Sequence, residues 1–550
     1  MQKQREVWIL AVAVALLIMM AYMFMITRST LWDRDEPRFT RAAVEMVESG
    51  NFLVPKFNGE LWADKPILVY WLMSLTIRLF GPTEFACRFW AALGTAISCL
   101  ITFVIAKRLM GTKQGLWAMI ILASSTMMLA VGTMATADAI TLPFILGAIA
   151  VFIDALTSGM RINHIVLIGF LIGGGMLAKG PIGALPFPVM VISLWLIKKN
   201  YSDYFKKLLA VSIALLLGIL VFLLWAIPAN MVTHGQFLAT FIGRHVITRA
   251  LKPMEHHGGN FLLFLPYYLP VIIAGFFPWI LFLPGALSAV ITGGLGQKPC
   301  RVVLLVWVTS IFVIMTLAAT KLPHYILFIW PALAVTVAGI IVASQQNLCA
   351  ERDKAWLRNG IWFFAPLGLL AGTALIIAPW FLRIPALYAP AAASGIILLV
   401  MTILAIHLQR RNQIRTAAKL LLIGMAVFHI PYIFGILPVI EQVKISPCIS
   451  KAVREKTDTN VPVATYKFAE PTLNFYIGRQ IQNLRSEEAV DDWARQKHEG
   501  VLIITKNGFD KIERQYGSLN LEQIASKIGF NYSNGKEVEV LVLLRKYKEQ

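Results

Sequence analysis

The stretch Trp8-Ile-Leu-Ala-Val-Ala-Val-Ala-Leu-Leu-Ile-Met-Met-Ala-Tyr-Met-Phe-Met25 decides the fold, because it runs for 18 residues without a charge. A bilayer core about 30 Å thick takes roughly 20 such residues to cross as a helix. No small-residue cleavage site follows it, so it reads as a retained first span rather than a removed signal segment. Of the 550 residues, 57% are hydrophobic and only 15% charged. Soluble domains carry about 25% charged residues. With a mean hydropathy of +0.68, most of this chain needs lipid rather than one soluble core as its solvent.

Twelve further apolar runs follow, near 89–106, 115–134, 139–155, 163–178, 182–197, 208–230, 261–287, 302–320, 325–343, 359–382, 384–406 and 420–439. With the first, near 8–27, they make thirteen expected membrane helices. The run from Pro66 to Phe80 is shorter and contains Arg78, so it reads as a helix in the interface that does not cross. Loop charge supports that choice. With Lys3 and Arg5 inside, the inside loops carry Lys107, Arg108 and Lys113, then Arg161, then Lys198, Lys199, Lys206 and Lys207. They go on to carry Lys298 and Arg301, then Arg352, Lys354 and Arg358, and finally Arg410, Arg411, Arg415 and Lys419. Basic loops stay in the cytoplasm, so the N-terminus is expected inside and the C-terminus outside. The same rule accounts for the formal net charge of +20, and no nucleic-acid motif is present. The five cysteines are scattered, without a CxxC pair or a disulfide framework.

The chain is therefore expected to be an all-α polytopic membrane protein over residues 1–440, with interfacial helices at about 37–80. A small α/β domain at 441–550 is expected outside the cytoplasm. Val461-Pro-Val-Ala-Thr-Tyr466, Gly500-Val-Leu-Ile-Ile-Thr505 and Val538 to Leu544 read as strands. Pro462 suggests an edge position for the first of them. Ser486 to Gln496 reads as a helix with Ser486 at its N-cap.

Several outer loops carry charges that topology alone does not ask for. The loop after the first span contains Trp32-Asp33-Arg34-Asp35-Glu36-Pro37-Arg38-Phe39, where Pro37 suits a helix start and Gly50 its stop. Asp35 at such a start can simply cap the helix. Lys65, in Ala63-Asp64-Lys65-Pro66, can reach lipid headgroups or a ligand phosphate. Asp138 sits where the third span gives way to the fourth, and an acid is cheaper there than at mid-depth. Lys179, in Ala178-Lys179-Gly180, and Lys321, in Lys321-Leu-Pro-His-Tyr325, lie on the outer side against the positive-inside trend. An anionic ligand gives them a reason to be there. The loop after the seventh span contains Gly243-Arg-His-Val-Ile-Thr-Arg249 and then Glu255-His256-His257. An adjacent His pair is commonly a surface feature; as a metal site it would need an oxygen ligand such as Asp64 or Glu255. A carrier would place its ionisable groups within the spans, often in paired repeats. Charged loops converging on one face fit an outer catalytic cavity instead.

Taken in order, Trp32 to Phe39, Asp64-Lys65-Pro66, Thr136-Ala-Asp138, Ala178-Lys179-Gly180, the His256/His257 loop followed by Pro266-Tyr-Tyr-Leu-Pro270 and Phe277-Pro-Trp279, and Lys321 to Tyr325 resemble one family. It is the GT-C glycosyltransferases of the dolichyl-phosphate-mannose protein mannosyltransferase type. Within it, the motifs look most like the bacterial enzymes that move 4-amino-4-deoxy-L-arabinose from undecaprenyl phosphate to lipid A. The resemblance covers roughly residues 1–440 and, more loosely, the tail.

It implies an inner-membrane enzyme with a periplasmic site, acting as a monomer on a polyprenyl-phosphate sugar and an envelope acceptor. Asp35 and Asp138 take the catalytic positions. Arg38, Lys65, Lys179, Arg244, Lys321 and Tyr325 are candidates for the donor phosphate. A divalent metal (Zn, Mg or Mn) is implied near Asp64, His256 and His257. The motifs are equally compatible with protein Ser/Thr or another envelope glycan as acceptor. A lipid or polysaccharide flippase is the reading from a different class.

Overall fold

The computed structural model describes residues 2–253, 264–532 and 535–546. Its backbone contacts part the chain into two compact units. The first comprises Met1–Ile26, Ala63–Val69 and Arg88–Ile436; the second comprises Thr27–Trp62, Tyr70–Cys87 and Leu437–Gln550.

The first unit is helical. Among the described residues, ten helices are long and apolar enough to cross a membrane: Gln4–Ile26, Glu84–Leu109, Ala137–Ser158, Ile162–Ala184, Tyr201–Val232, Lys298–Leu317, Pro323–Gln345, Glu351–Leu382, Pro385–Arg410 and Ile414–Val443. An eleventh is reached if Thr112–Ser124 and Thr126–Gly132, bent by 66° at Ser125, count as one span. The thirteen expected from the sequence differ from this at two places. The run near 182–197 forms a helix of only 12 residues, Pro186–Ile197, about 18 Å at 1.5 Å per residue. The run near 261–287 holds two short helices, Leu265–Gly275 and Leu283–Thr292, separated by a turn through Pro278. Proline supplies no N–H to a helix interior, so an apolar run alone does not make one continuous helix. Leu68–Phe80, the run read as interfacial, is likewise a short helix, of 13 residues.

Pro323–Gln345 is the core of this unit, with its apolar window 100% buried, whereas Tyr201–Val232 is only 33% buried. The second pattern is that of a helix with one face on protein and the rest presented to lipid. Helices Ile162–Lys179 and Tyr201–Val232 approach closely through glycine. A Cβ on Gly173 would stand 2.6 Å from Cβ of Val221, and one on Gly218 would stand 3.0 Å from the Gly169 carbonyl oxygen. Small residues that let backbones approach are a usual basis of helix association in lipid.

The second unit holds helix Asp35–Ser49, closed by Gly50 at φ 69° as the sequence predicts. A two-stranded hairpin follows, β1 (Lys56–Phe57) with β2 (Glu60–Leu61). The C-terminal part contains a five-stranded sheet of β3 (Val463–Tyr466), β4 (Ile481–Asn483), β5 (Gly500–Thr505), β6 (Glu522–Asn531) and β7 (Lys536–Arg545). The order is β4-β3-β5-β7-β6, with β4, β3 and β5 parallel and β7 antiparallel to both its neighbours. Alternate residues serve two cores. Val463, Val501, Ile503, Val540 and Val542 pack with Ile449, Val453 and Leu473. Ala464, Leu502, Ile504, Leu541 and Leu543 pack with Val490, Trp493 and Ile512. A sheet covered on both faces gives continuous apolar strands, which is why β5 and β7 were legible.

Ser486 caps helix Glu487–Ala494 by accepting from the Ala489 N–H at 3.1 Å, as expected. The edge position expected from Pro462 is corrected, since β3 lies between β4 and β5. Pro462 precedes the strand and offers only its carbonyl, which accepts from the Val501 N–H at 2.9 Å, so its missing donor costs nothing.

Candidate active site

Asp64 and Lys65 enter the first unit on a short stretch, Ala63–Val69, just ahead of helix Leu68–Phe80. They line one wall of a cavity of about 470 Å³. Its other polar walls are Lys179, His245, Arg249 and Tyr325, and its apolar lining includes Phe241, Val246, Ile314, Met315, Leu317 and Phe328. A cluster of cations therefore opens onto a greasy slot, which is the chemistry of an anionic head on a hydrocarbon chain.

The charges are interlocked. Asp64 Oδ2 pairs with Lys65 Nζ at 2.7 Å, while its Oδ1 lies 2.8 Å from His245 Nδ1 and 3.7 Å from Arg249 Nη2. Burial pushes the Asp64 carboxyl up, but Lys65 and His245 outweigh it and hold the group well below the usual carboxylate range. Burial likewise pushes the Lys65 ammonium down, and the Asp64 charge reverses this, leaving Lys65 raised and charged. Arg249 Nη1 donates to the Tyr325 hydroxyl at 3.3 Å.

Asp138 lies in the first turn of helix Ala137–Ser158 and forms a buried ion pair with Lys179. His324 Nε2 lies 3.9 Å from its other oxygen. Lys179 ends helix Ile162–Lys179, and its ammonium stands 5.3 Å from the Tyr325 ring centre and 5.5 Å from that of Phe328. Gly180 makes this geometry possible. It turns the chain at φ 62°, where L side chains are rare, and a Cβ there would stand 2.5 Å from Cζ of Phe241. Counting Lys65, Lys179 and Arg249 against Asp64 and Asp138 leaves a positive surplus, the sign an incoming phosphate needs.

The structure thus brings Asp64, Lys65, Asp138, Lys179 and Tyr325 into one region. It adds His245 and Arg249, which sequence reasoning passed over in favour of Arg244. These two stand four residues apart, the spacing that shares a helix face, and that signal would have found them. Arg244 is exposed and outside the cavity lining. Arg244 and His245 lie on the π-helical segment Ala239–Thr248, a form frequent at functional sites, and Arg249 follows it directly. Lys321 is buried, with Nζ donating to the carbonyls of Thr316 and Ala318 at 2.5 and 2.9 Å. It caps the end of helix Lys298–Leu317 and does not line the cavity.

Asp35 and Arg38 belong to the second unit. Asp35 is exposed as the first residue of its helix, with Arg34 at the N-cap. Arg38 places its guanidinium 5.7 Å from the Trp62 ring centre. That unit holds its own cavity of about 480 Å³, lined in part by Arg41, Glu45, Glu48 and Arg479. Arg41 is already paired with Glu45 and Glu48, so this cavity offers less to an anion.

For the implied metal, Asp64 Oδ1 and His245 Nδ1 are two converging donors. A catalytic zinc takes three protein ligands, and no group of three or more His, Cys, Asp or Glu that could hold a metal occurs among the described residues. His256 and His257 lie outside the described residues. Asp64 is also already neutralised by Lys65. The described residues do not by themselves make a metal centre.

Residues 64–228 match the family described as dolichyl-phosphate-mannose-protein mannosyltransferase. The chain is 32% identical over 372 residues to an undecaprenyl phosphate-alpha-4-amino-4-deoxy-L-arabinose arabinosyl transferase of Edwardsiella ictaluri. That match covers 66% of this chain and 65% of the length of the relative. A protein of the same description from Erwinia tasmaniensis is 29% identical, over 68% of this chain and 67% of its own. The crystal structure of ArnT from Cupriavidus metallidurans bound to undecaprenyl phosphate superposes with a TM-score of 0.77, at 19% identity, over 98% of this chain and 99% of that one. Two chains with so few identical residues share the whole fold.

Proposed function

We propose that the chain is a GT-C membrane glycosyltransferase that moves a sugar from a polyprenyl-phosphate donor to lipid A, a reading supported by the family match, the relatives and the shared fold. The sugar on this reading is 4-amino-4-deoxy-L-arabinose and the carrier is undecaprenyl phosphate. One observation carries the reading: Lys65, Arg249 and Tyr325 line the same cavity as Phe241, Ile314, Met315, Leu317 and Phe328.

An acceptor oxygen attacks the anomeric carbon as the bond to the donor phosphate breaks, so the electron pair leaves with the phosphate and the configuration inverts. Negative charge grows on that phosphate. Lys65 and Arg249, held in place by Asp64, meet it without reorganising, and Tyr325 donates a further hydrogen bond. Lys179 is aimed by its ion pair with Asp138, the second acid of the site. Asp35 acts on the acceptor. With a phosphate of lipid A as acceptor the nucleophile is already ionised, and Asp35 orients it or stabilises the cationic sugar; with a hydroxyl it takes the proton.

The reading includes thirteen passes, with the site facing the periplasm of an inner membrane. The bent pair at Ser125, helix Pro186–Ile197 and the pair Leu265–Gly275 with Leu283–Thr292 would supply the passes beyond the ten long helices. Residues 441–550 then form the outer α/β domain, and the enzyme acts as a monomer.

The test is mass spectrometry of lipid A from cells with and without the chain, and from cells carrying Asp35→Asn. A sugar-sized mass gain that needs the wild-type chain and is lost in Asp35→Asn is expected. Unchanged lipid A with newly glycosylated protein would move the acceptor to Ser/Thr. Full transfer by Asp35→Asn would remove Asp35 from the mechanism.

A further inference from the structure

In the second unit, the four residues before Arg34, the N-cap of helix Asp35–Ser49, are held by side chains that lie more than 400 positions away in sequence. Glu441 Oε2 accepts from the Thr30 N–H at 3.2 Å and from its hydroxyl at 2.5 Å. Lys444, only 4% exposed, donates to the Thr30 carbonyl at 3.1 Å and to its hydroxyl oxygen at 2.9 Å. It also pairs with Glu441 at 2.7 Å and stands 3.8 Å from the Trp32 ring centre. The Leu31 N–H donates to the Tyr476 hydroxyl at 2.7 Å. Asp33 spends both carboxylate oxygens on Thr472, accepting from its N–H at 3.1 Å and its hydroxyl at 2.7 Å.

These bonds tie down every residue from Thr30 to Asp33, while Asp35 itself is exposed and its helix start has no side-chain cap bond. A tail needed only for solubility or folding has no reason to concentrate a buried lysine, a carboxylate, a threonine and a tyrosine on this one stretch. Precise placement does give a reason, because an error of about 1 Å in a reacting group can cost on the order of 100-fold in rate.

We infer that Thr472 and Lys444 are positioning residues: through Asp33 and Thr30 the C-terminal domain fixes the backbone that delivers Asp35 to the acceptor. The inference rests on the reading in which Asp35 acts in transfer. Thr472→Val removes the hydroxyl bond to Asp33 and keeps the shape of the side chain. Lys444→Met removes the charge and keeps the buried length.

The experiment uses the full-length protein in detergent or nanodiscs, with undecaprenyl-phosphate aminoarabinose and lipid A. Each substitution is expected to lower kcat about tenfold or more. The donor KM should stay within about twofold, because the donor cavity lies in the other unit. Thr472→Ser, which restores the hydroxyl, should recover the rate. In an Asp35→Glu background, which keeps a carboxylate and a measurable residual rate, Thr472→Val should add little further loss, since residues acting through one group are not additive. A merely structural role would instead reduce both backgrounds by the same factor, and that outcome overturns the inference. So does wild-type kcat in both Thr472→Val and Lys444→Met. If those two lose activity by failing to fold, Thr472→Ser provides the folded comparison, and a tenfold loss there with the hydroxyl retained also refutes it. Full activity in Asp35→Asn alone defeats the parent reading, whereas a dead Asp35→Asn beside a normal Thr472→Val defeats only the positioning role.

Discussion

Arg249→Met tests whether the cavity geometry, rather than the charge count of the loop, marks the donor head. Arg249 holds the Tyr325 hydroxyl at 3.3 Å and stands 3.7 Å from Asp64 Oδ1. Asp64 keeps Lys65 at 2.7 Å and His245 at 2.8 Å when Arg249 is gone. The substitution therefore leaves no buried carboxylate unpaired, and thermal stability should change little. What is lost is a charge-assisted bond to the leaving phosphate, worth about 1.5–3 kcal/mol. At 1.36 kcal/mol per factor of ten, kcat/KM should fall about 10- to 150-fold. Arg249→Lys should recover part of this, because an ammonium keeps the charge without the planar fork. The assay is the initial rate of transfer at varied donor concentration, beside retention of undecaprenyl phosphate by the purified protein. Arg244→Met is the internal comparison, exposed and off the cavity wall, and should stay within about twofold of wild type. Wild-type kcat/KM in Arg249→Met, or a larger loss in Arg244→Met, would refute the assignment.

Breaking the buried Asp138–Lys179 pair by Lys179→Met alone should destabilise the protein by about 3–5 kcal/mol. Adding Asp138→Asn should return much of that stability in thermal melts without returning transfer. Gly180→Ala puts a Cβ where the Phe241 ring stands and strains a positive φ by about 1–2 kcal/mol; a higher donor KM should accompany the lower melting temperature. Glu470 gives a pH effect in the second unit. Burial pushes its carboxyl up from 4.5 to about 7, against bonds from Ser446 and Tyr532 and the charge of Lys444, with Asp33 pushing the same way as burial. The folded state then holds a proton that the unfolded chain releases, so stability is fully present below pH 4.5 and is lost as pH rises through 7. The swing is up to about 3 kcal/mol, and Glu470→Gln should flatten the slope of melting temperature against pH between 5 and 8.

The membrane character of the chain and the helix that follows Asp35 were written in the sequence because each depends on local physics. An uncharged run such as Trp8–Met25 has no soluble alternative. Gly50 stops a helix by its own φ, and Ser486 caps one through a bond three residues away. The strands Gly500–Thr505 and Lys536–Arg545 were visible because both their faces are covered. The strands Ile481–Asn483 and Glu522–Asn531 were not, since they sit at the two edges of the sheet, and three residues or a mixed polar pattern give no clear period. The number of crossings was not local either, because proline and loop geometry divide apolar runs that hydropathy counts as whole.

The site divides the same way. Position beside an expected span singled out Lys65 and Asp138, and the positive-inside trend singled out Lys179 and Lys321, since an ionised group at such a boundary needs a compensating reason. Only tertiary structure decided which of the cations face the cavity. Lys321 turned to helix carbonyls and Arg244 to the exterior, while His245 and Arg249 turned to Asp64. Which way a long side chain points depends on partners brought together from distant parts of the chain, and no window of sequence contains them. The same holds for Thr472 and Lys444, whose partners Asp33 and Thr30 lie at the opposite end of the polypeptide.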